Sequence, residues 1–235
     1  MRVELQEMGK HFGLKSISLA IERGQRLACV GTNGAGKSTL LRCLAGLYQP
    51  ARGRVLLDDQ PFDRRRHDLR LRLHYVPDNP PGHESQTVLG QIAEYLTAYQ
   101  CASDERNRRV GELLKEFHLF DRRYYPLSQL SRGQRYKLSL VILIALDREL
   151  WLIDEPFASG IDGIGMDRFR QNVNDACQRG RTVIYTTQIL EIAEAFSDQI
   201  CILHNGEVAH MAAASEIKGS ADQRPGLLNI LEELA

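Results

Sequence analysis

The sequence lacks most of what would build a stapled, metal-bound or membrane-embedded protein. Its five cysteines (Cys29, Cys43, Cys101, Cys177 and Cys201) are scattered, odd in number and never in a Cys-x-x-Cys spacing. That argues against a disulfide framework or a zinc site and for a reducing compartment. Cys29 and Cys201 lie in apolar runs and read as small core residues. The seven histidines fall into no ligand spacing. His74 and His83, the two that flank a proline-rich loop, read as satisfied loop or surface residues. An excess of one charge is also missing. Thirty basic residues balance thirty acidic ones, so no nucleic acid or polyanionic partner is expected. The longest apolar run, Leu138 to Leu146, is far short of the roughly twenty residues that cross a bilayer. The start, Met1 to Glu7, carries no apolar signal segment. Arg64-Arg65-Arg66, with Arg70 and Arg72 nearby, is interleaved with Asp63 and Asp68 and reads as a solvated helix face. No internal repeat and no low-complexity linker is visible.

What is present suffices for one large domain. The 235 residues, with 43% hydrophobic and 26% charged side chains, can bury a full core without staples. Arg2 to Gln6 and Ile17 to Ile21 alternate like antiparallel strands, closed by Glu22-Arg23-Gly24-Gln25. Arg26 to Val30 reads as a buried strand, Ser38 to Leu47 as the helix after it, and Arg54 to Asp58 as another strand. From about Thr87 to Leu146 the spacing turns helical: Val88, Ile92, Tyr95 and Leu96, then Val110, Leu113, Leu114 and Phe117. Strand character returns at Leu150–Ile153, Thr182–Tyr185 and Gln199–Leu203, with a helix-sized segment between each pair. Strands alternating with helices imply a mostly parallel, covered sheet. The expected organisation is a core lobe over about 1–77 and 148–210, a helical insert over about 78–147, and a tail over about 211–235. In the tail, Leu227, Leu228, Leu231 and Leu234 suit a short amphipathic helix that docks on the core or on a partner.

Two stretches carry chemistry. Gly31-Thr32-Asn33-Gly34-Ala35-Gly36-Lys37-Ser38-Thr39 follows an apolar strand and opens a helix. Its glycines let successive N–H groups converge on one anion, and the helix N-terminus adds partial positive charge. In that context Lys37 bridges the β- and γ-phosphates of a nucleotide and the Ser38 hydroxyl ligates Mg²⁺. Leu150-Trp151-Leu152-Ile153-Asp154-Glu155 is an apolar strand ending in two carboxylates. Asp154 is placed to bind Mg²⁺, and Glu155 to polarise a water aimed at the γ-phosphate.

Between them stands Leu130-Ser131-Arg132-Gly133-Gln134, with Ser131 suited to cap the helix that follows. The order of these motifs resembles the ABC ATPase family: Walker A, the Leu-Ser-Gly-Gly-Gln signature, then Walker B with its glutamate. The resemblance covers nearly the whole chain. It implies an α/β P-loop NTPase with a RecA-like core, an antiparallel β subdomain and an inserted α-helical subdomain. It implies ATP and Mg²⁺ as ligands and a head-to-tail dimer with a second, identical or different, ATPase subunit. Each nucleotide is then sandwiched between the Walker motifs of one subunit and Ser131, Gly133 and Gln134 of the other. Phe12 matches the aromatic that stacks on adenine, with core filling as the alternative, and Asp162 matches the loop aspartate that links the two sites.

The chain departs from the family pattern at several points. Arg132 replaces the first signature glycine and can add charge near the γ-phosphate. Asp78 replaces the Q-loop glutamine. A carboxylate is also a hard oxygen ligand for Mg²⁺, and it resembles exporter-type ATPases of the ABC-2 group. Gln188 replaces the switch histidine, so it can donate a hydrogen bond but carries no charge or transferable proton. The stretch from Asp154 to Asp162 is one residue longer than usual, and Phe12 to Gly24 is a few shorter. The family implies a cytoplasmic subunit, peripheral on the inner face of the cell membrane through a separate transmembrane permease. The compact chain suits an exporter half. The alternatives are a soluble ABC ATPase, as in iron–sulfur assembly, and a weakly hydrolysing nucleotide-dependent regulator.

Overall fold

The computed structural model describes residues 1–158 and 160–217, so the expected helix around Leu227 to Leu234 lies outside the described residues. A ten-stranded mixed sheet organises them, in the order β5-β4-β1-β2-β10-β9-β3-β8-β7-β6. One wing is antiparallel: β1 (Val3–Lys10), β2 (Leu14–Ile21), β4 (Arg52–Leu57) and β5 (Gln60–Phe62). The other wing is parallel: β9 (Gln199–His204), β3 (Arg26–Val30), β8 (Thr182–Thr187), β7 (Leu150–Ile153) and β6 (Leu73–Val76). Strand β10 (Glu207–Ala213) runs antiparallel to β9 and touches β2, joining the wings.

The parallel strands read as continuous apolar runs because both of their faces are buried. Along β3, Ala28 and Val30 face one core cluster while Leu27 and Cys29 face the other. The first cluster packs the sheet against α3 (Val88–Ala98), α4 (Asp104–Glu116), α5 (Arg132–Leu146), α6 (Gly163–Gln178) and α7 (Leu190–Phe196). The second encloses α1 (Lys37–Leu44) between the parallel strands and the antiparallel wing, with the short α2 (His67–Arg70) at its edge. Residues Tyr136 to Leu146 of α5 are buried without a break, and the two polar residues in that stretch are bonded, Lys137 to Asp162 and Ser139 to the Arg135 carbonyl. Among the described residues no helix is long and apolar enough to cross a membrane.

Several local expectations need correction. Helix α1 ends at Leu44, because the chain turns at Gly46 and leaves Leu47 exposed. The Arg64-Arg65-Arg66 run is solvated but is not a helix face. It forms the turn before α2, where Arg65 pairs with Asp63 and Arg66 with Asp68. Arg72 is not free surface charge either: it is held between Asp58 and Glu149. His74 lies inside strand β6 and is 5% exposed, rather than in a loop or at the surface. Cys29 and Cys201 face each other across β3 and β9 as buried free thiols, and the contact with Cys201, then burial, raises the Cys29 pKa.

Candidate nucleotide site

Four adjacent parallel strands end at one edge of the sheet, and the chemistry-bearing residues stand directly after those ends. Gly31 follows β3, Asp78 follows β6 by one proline, Asp154 and Glu155 follow β7, and Gln188 follows β8. The crevice beyond the carboxyl ends of parallel strands is where such sheets bind ligands. Here it is a cavity of about 410 Å³ whose walls include Thr32 to Gly34, Gly36 to Thr39, Asp78, Arg132, Glu155 and Gln188.

The loop from Gly31 to Gly36 delivers the N-terminus of α1 into this cavity. Gly36 caps that helix at φ 104, a left-handed conformation, and a Cβ there would lie 2.1 Å from the Gly13 carbonyl oxygen. Only glycine fits. Lys37, 6% exposed, folds back over the loop: its Nζ donates to the carbonyls of Gly31 (2.8 Å) and Thr32 (3.2 Å) and lies 3.3 Å from Glu155 Oε1. Gln188 Nε2 donates to Asn33 Oδ1 at 3.0 Å and approaches Glu155 Oε1 at 3.5 Å. The lysine, the glutamate and the glutamine therefore share one network around the space a terminal phosphate would fill.

Asp154 is 1% exposed, and three hydroxyls donate to its carboxylate: Ser38 at 3.1 Å and Thr186 at 2.6 Å on Oδ1, Tyr75 at 3.2 Å on Oδ2. Burial, and then the negative charge of Asp154, push the Tyr75 phenol well above its ordinary pKa, so it stays a donor. A buried carboxylate bonded to a serine hydroxyl that itself lines the cavity fits a small hard cation that keeps phosphate and water among its ligands. Among the described residues no group of three or more His, Cys, Asp or Glu side chains is placed to hold a metal ion, so a cation here would lean on phosphate and water.

The signature segment forms the N-terminus of α5. Ser131 Oγ accepts the Gln134 N–H and Gln134 Oε1 accepts the Ser131 N–H, a reciprocal capping box. A Cβ on Gly133 would lie 2.4 Å from the Gly160 carbonyl oxygen, so this glycine is set by close backbone approach. Beside it, Arg132 reaches across the cavity mouth to Asp78 at 2.9 Å.

A family model described as "ABC transporter" matches residues 14–158. The chain belongs to the ABC transporter family. It is 31% identical over 218 residues to the ABC-type transporter ATP-binding protein EcsA of Bacillus subtilis (strain 168), covering 93% of this chain and 88% of that one. To the SkfA peptide export ATP-binding protein SkfE of the same organism it is 27% identical over 235 residues, covering 98% and 97%. A solved structure titled as the ATP binding subunit of an ABC transporter superposes with a TM-score of 0.91 at 28% identity, covering 100% and 99%. Names among the relatives include import as well as export subunits. This chain is thus an ATP-binding subunit of the ABC transporter type and an ATPase.

Within that family the departures acquire partners. The arginine in the signature and the aspartate in the Q-loop form an ion pair with each other, which neither position announces alone. Asp162 caps α6 through the Gly165 N–H at 2.8 Å and is tied to α5 by Lys137 at 2.6 Å. The Lys137 bond, and then the N–H bond, hold its pKa below the usual carboxylate range. Phe12 is 54% exposed in the turn between β1 and β2, with its ring on Tyr48 at 5.6 Å, so it does not fill the core. Sequence reasoning missed Thr186, Tyr75 and Tyr136, whose hydroxyls all bond to Asp154. In sequence they belong to no motif and look like ordinary strand and helix filling.

Proposed function

We propose that this chain is the energy subunit of a membrane exporter, working as a head-to-tail dimer beneath a separate permease. The observation that carries the reading is the convergence of Lys37, Ser38, Glu155 and Gln188 on one cavity at the ends of β3, β7 and β8, with Asp154 buried behind Ser38 and bonded to it. On this reading residues 31–39 wrap the phosphates, Lys37 leaves Glu155 for the β- and γ-phosphates, and Ser38 and Asp154 hold Mg²⁺. That ion, when bound, offsets phosphate charge. Glu155, released from Lys37, accepts a hydrogen bond from the attacking water. Gln188, already on Asn33 and Glu155, donates to the γ-phosphate. Phe12, exposed beside Gly13 of the cavity wall, offers its face to adenine.

Ser131, Arg132, Gly133 and Gln134 lie at an exposed helix N-terminus, which suits contact with the nucleotide of a second subunit. Asp162, bonded to Lys137 of the same helix, would carry the state of that contact into its own site. Asp78 has two calls on its carboxylate, the Arg132 guanidinium it now holds and Mg²⁺. ATP-driven closure would move the insert (about 78–147) against the core lobe (about 1–77 and 148–210).

A groove of about 750 Å³ lies between the two, walled by Arg42, Leu47, Arg70, Pro81, Tyr95 and Tyr99. Its size, its exposed Leu47 and its arginine edge suit a short amphipathic helix of the permease bearing a carboxylate. Export is favoured because a relative named for peptide export matches this chain nearly end to end. The subunit would then sit in the cytoplasm on the inner face of the membrane. The test is affinity purification of the tagged chain from gently solubilised cells. A co-purifying multi-spanning protein supports the reading, and recovery of soluble partners alone contradicts it.

A further inference from the structure

The peptide that joins Asp154 to Glu155 is held at both of its polar atoms by side chains from two other elements. Its carbonyl accepts the Tyr136 hydroxyl at 2.7 Å, from the second turn of α5. Its N–H donates to Thr186 Oγ1 at 2.9 Å, from β8. The Thr186 proton in turn points at Asp154 Oδ1 at 2.6 Å, so this one hydroxyl is used in both directions. Tyr136 and Thr186 are both 0% exposed. Water therefore does not compete for either bond.

What this clamp holds is an unusual backbone. Glu155 has φ 48, in the left-handed region that residues with a Cβ seldom enter and keep only when their surroundings over-determine it. Rotating the 154–155 peptide would break both clamp bonds. It would also swing the Glu155 side chain away from Lys37 and Gln188.

We propose that Tyr136 is a positioning residue for hydrolysis, fixing the aim of the Glu155 carboxylate through the peptide it shares with Asp154. This rests on the reading of Glu155 as the group that polarises the attacking water. Tyr136 shares α5 with the Ser131–Gln134 cap, so the aim of Glu155 also depends on where that helix sits. Tyr136 itself touches neither nucleotide nor water.

The test uses the full chain. kcat and KM for ATP, equilibrium ATP affinity and thermal melting are measured for Tyr136→Phe, Thr186→Val, Thr186→Ser, Glu155→Gln and the double variant Tyr136→Phe/Glu155→Gln. Misaimed catalytic groups cost about tenfold to a hundredfold. Tyr136→Phe should therefore lower kcat by at least about tenfold while ATP affinity stays within about twofold. Thr186→Val should do the same from the other side of the peptide, and Thr186→Ser should recover most of the rate. In the Glu155→Gln background, adding Tyr136→Phe should leave the residual rate unchanged within about twofold, because the tyrosine acts through the glutamate. An unchanged kcat in Tyr136→Phe, or an equal loss in both backgrounds, overturns the proposal. So does a loss matched by lower affinity or melting temperature. Should Glu155→Gln be inactive while Tyr136→Phe is wild-type, only the Tyr136 assignment falls. If Glu155→Gln keeps the wild-type rate, the reading of Glu155 falls and takes this proposal with it.

Discussion

His74 makes the stability of this fold depend on pH in a way that can be worked out from its surroundings. The imidazole is 5% exposed in β6, with the rings of Tyr95 and Tyr99 each 5.4 Å away edge-on. Its Nδ1 lies 2.9 Å from the Tyr99 hydroxyl, which itself donates to the Leu73 carbonyl at 3.1 Å. That assigns the neutral Nδ1–H tautomer, because the hydroxyl proton is already committed. Burial, with the Arg148 guanidinium adding to it, lowers the pKa from 6.5 to about 3. Between those values the unfolded chain binds a proton that the folded chain does not. Stability therefore rises with pH in that window: this contribution is full above 6.5 and is lost progressively as pH falls from there towards about 3. Each pH unit well inside the window costs about 1.4 kcal/mol, so going from pH 7 to pH 5 removes about 2 kcal/mol from this residue. The assay is urea unfolding of the wild type and His74→Leu at pH 7, 6 and 5. The other six histidines and the carboxylates titrate in both proteins and cancel in the difference. The wild-type advantage should shrink by about 2 kcal/mol between pH 7 and pH 5. An advantage that is constant over that range would refute the assignment of a buried, neutral imidazole.

Other substitutions test separate parts of the account. Gln188→His supplies a charge and a transferable proton next to Glu155 and should raise turnover; an unchanged or lower ATPase rate contradicts the role given to Gln188. Gly133→Ala drives a methyl into the Gly160 carbonyl and should abolish ATPase activity while nucleotide binding to the single subunit survives, as read by equilibrium binding. The Arg132–Asp78 pair is exposed (64% and 46%), so Arg132→Ala should cost well under about 1 kcal/mol of stability. A clear drop in melting temperature would show that the pair holds the fold together. Arg72→Ala takes the guanidinium from the half-buried carboxylate of Glu149 and one of several partners from Asp58, and should cost about 1–3 kcal/mol in urea unfolding.

The parallel core was legible because strands covered on both faces must be apolar throughout, as Leu27 to Val30 and Leu150 to Ile153 are. The phosphate loop was legible because glycines before Lys37 have few other uses. Residues that act through backbone atoms were not legible. Tyr136 and Thr186 look like filler, and only the fold brings their hydroxyls to the two ends of one peptide. The Arg132–Asp78 pair was hidden for a related reason. The two residues are far apart in sequence, and each looks like an isolated loss of a family residue until the cavity mouth sets them 2.9 Å apart. His74 was misplaced because its neighbour Pro77 suggested a loop, whereas β6 runs to Val76 and pairs with β7.

The central claim is that ATP closes two copies of this site against each other and that Glu155 reopens them by promoting hydrolysis. The most direct measurement is the mass in solution, by light scattering, of Glu155→Gln with and without Mg-ATP, alongside its ATPase rate. A monomer that becomes a stable dimer only with ATP, together with a lost ATPase rate, is the predicted result. A Glu155→Gln protein that still hydrolyses ATP at the wild-type rate and remains monomeric with nucleotide would contradict the account.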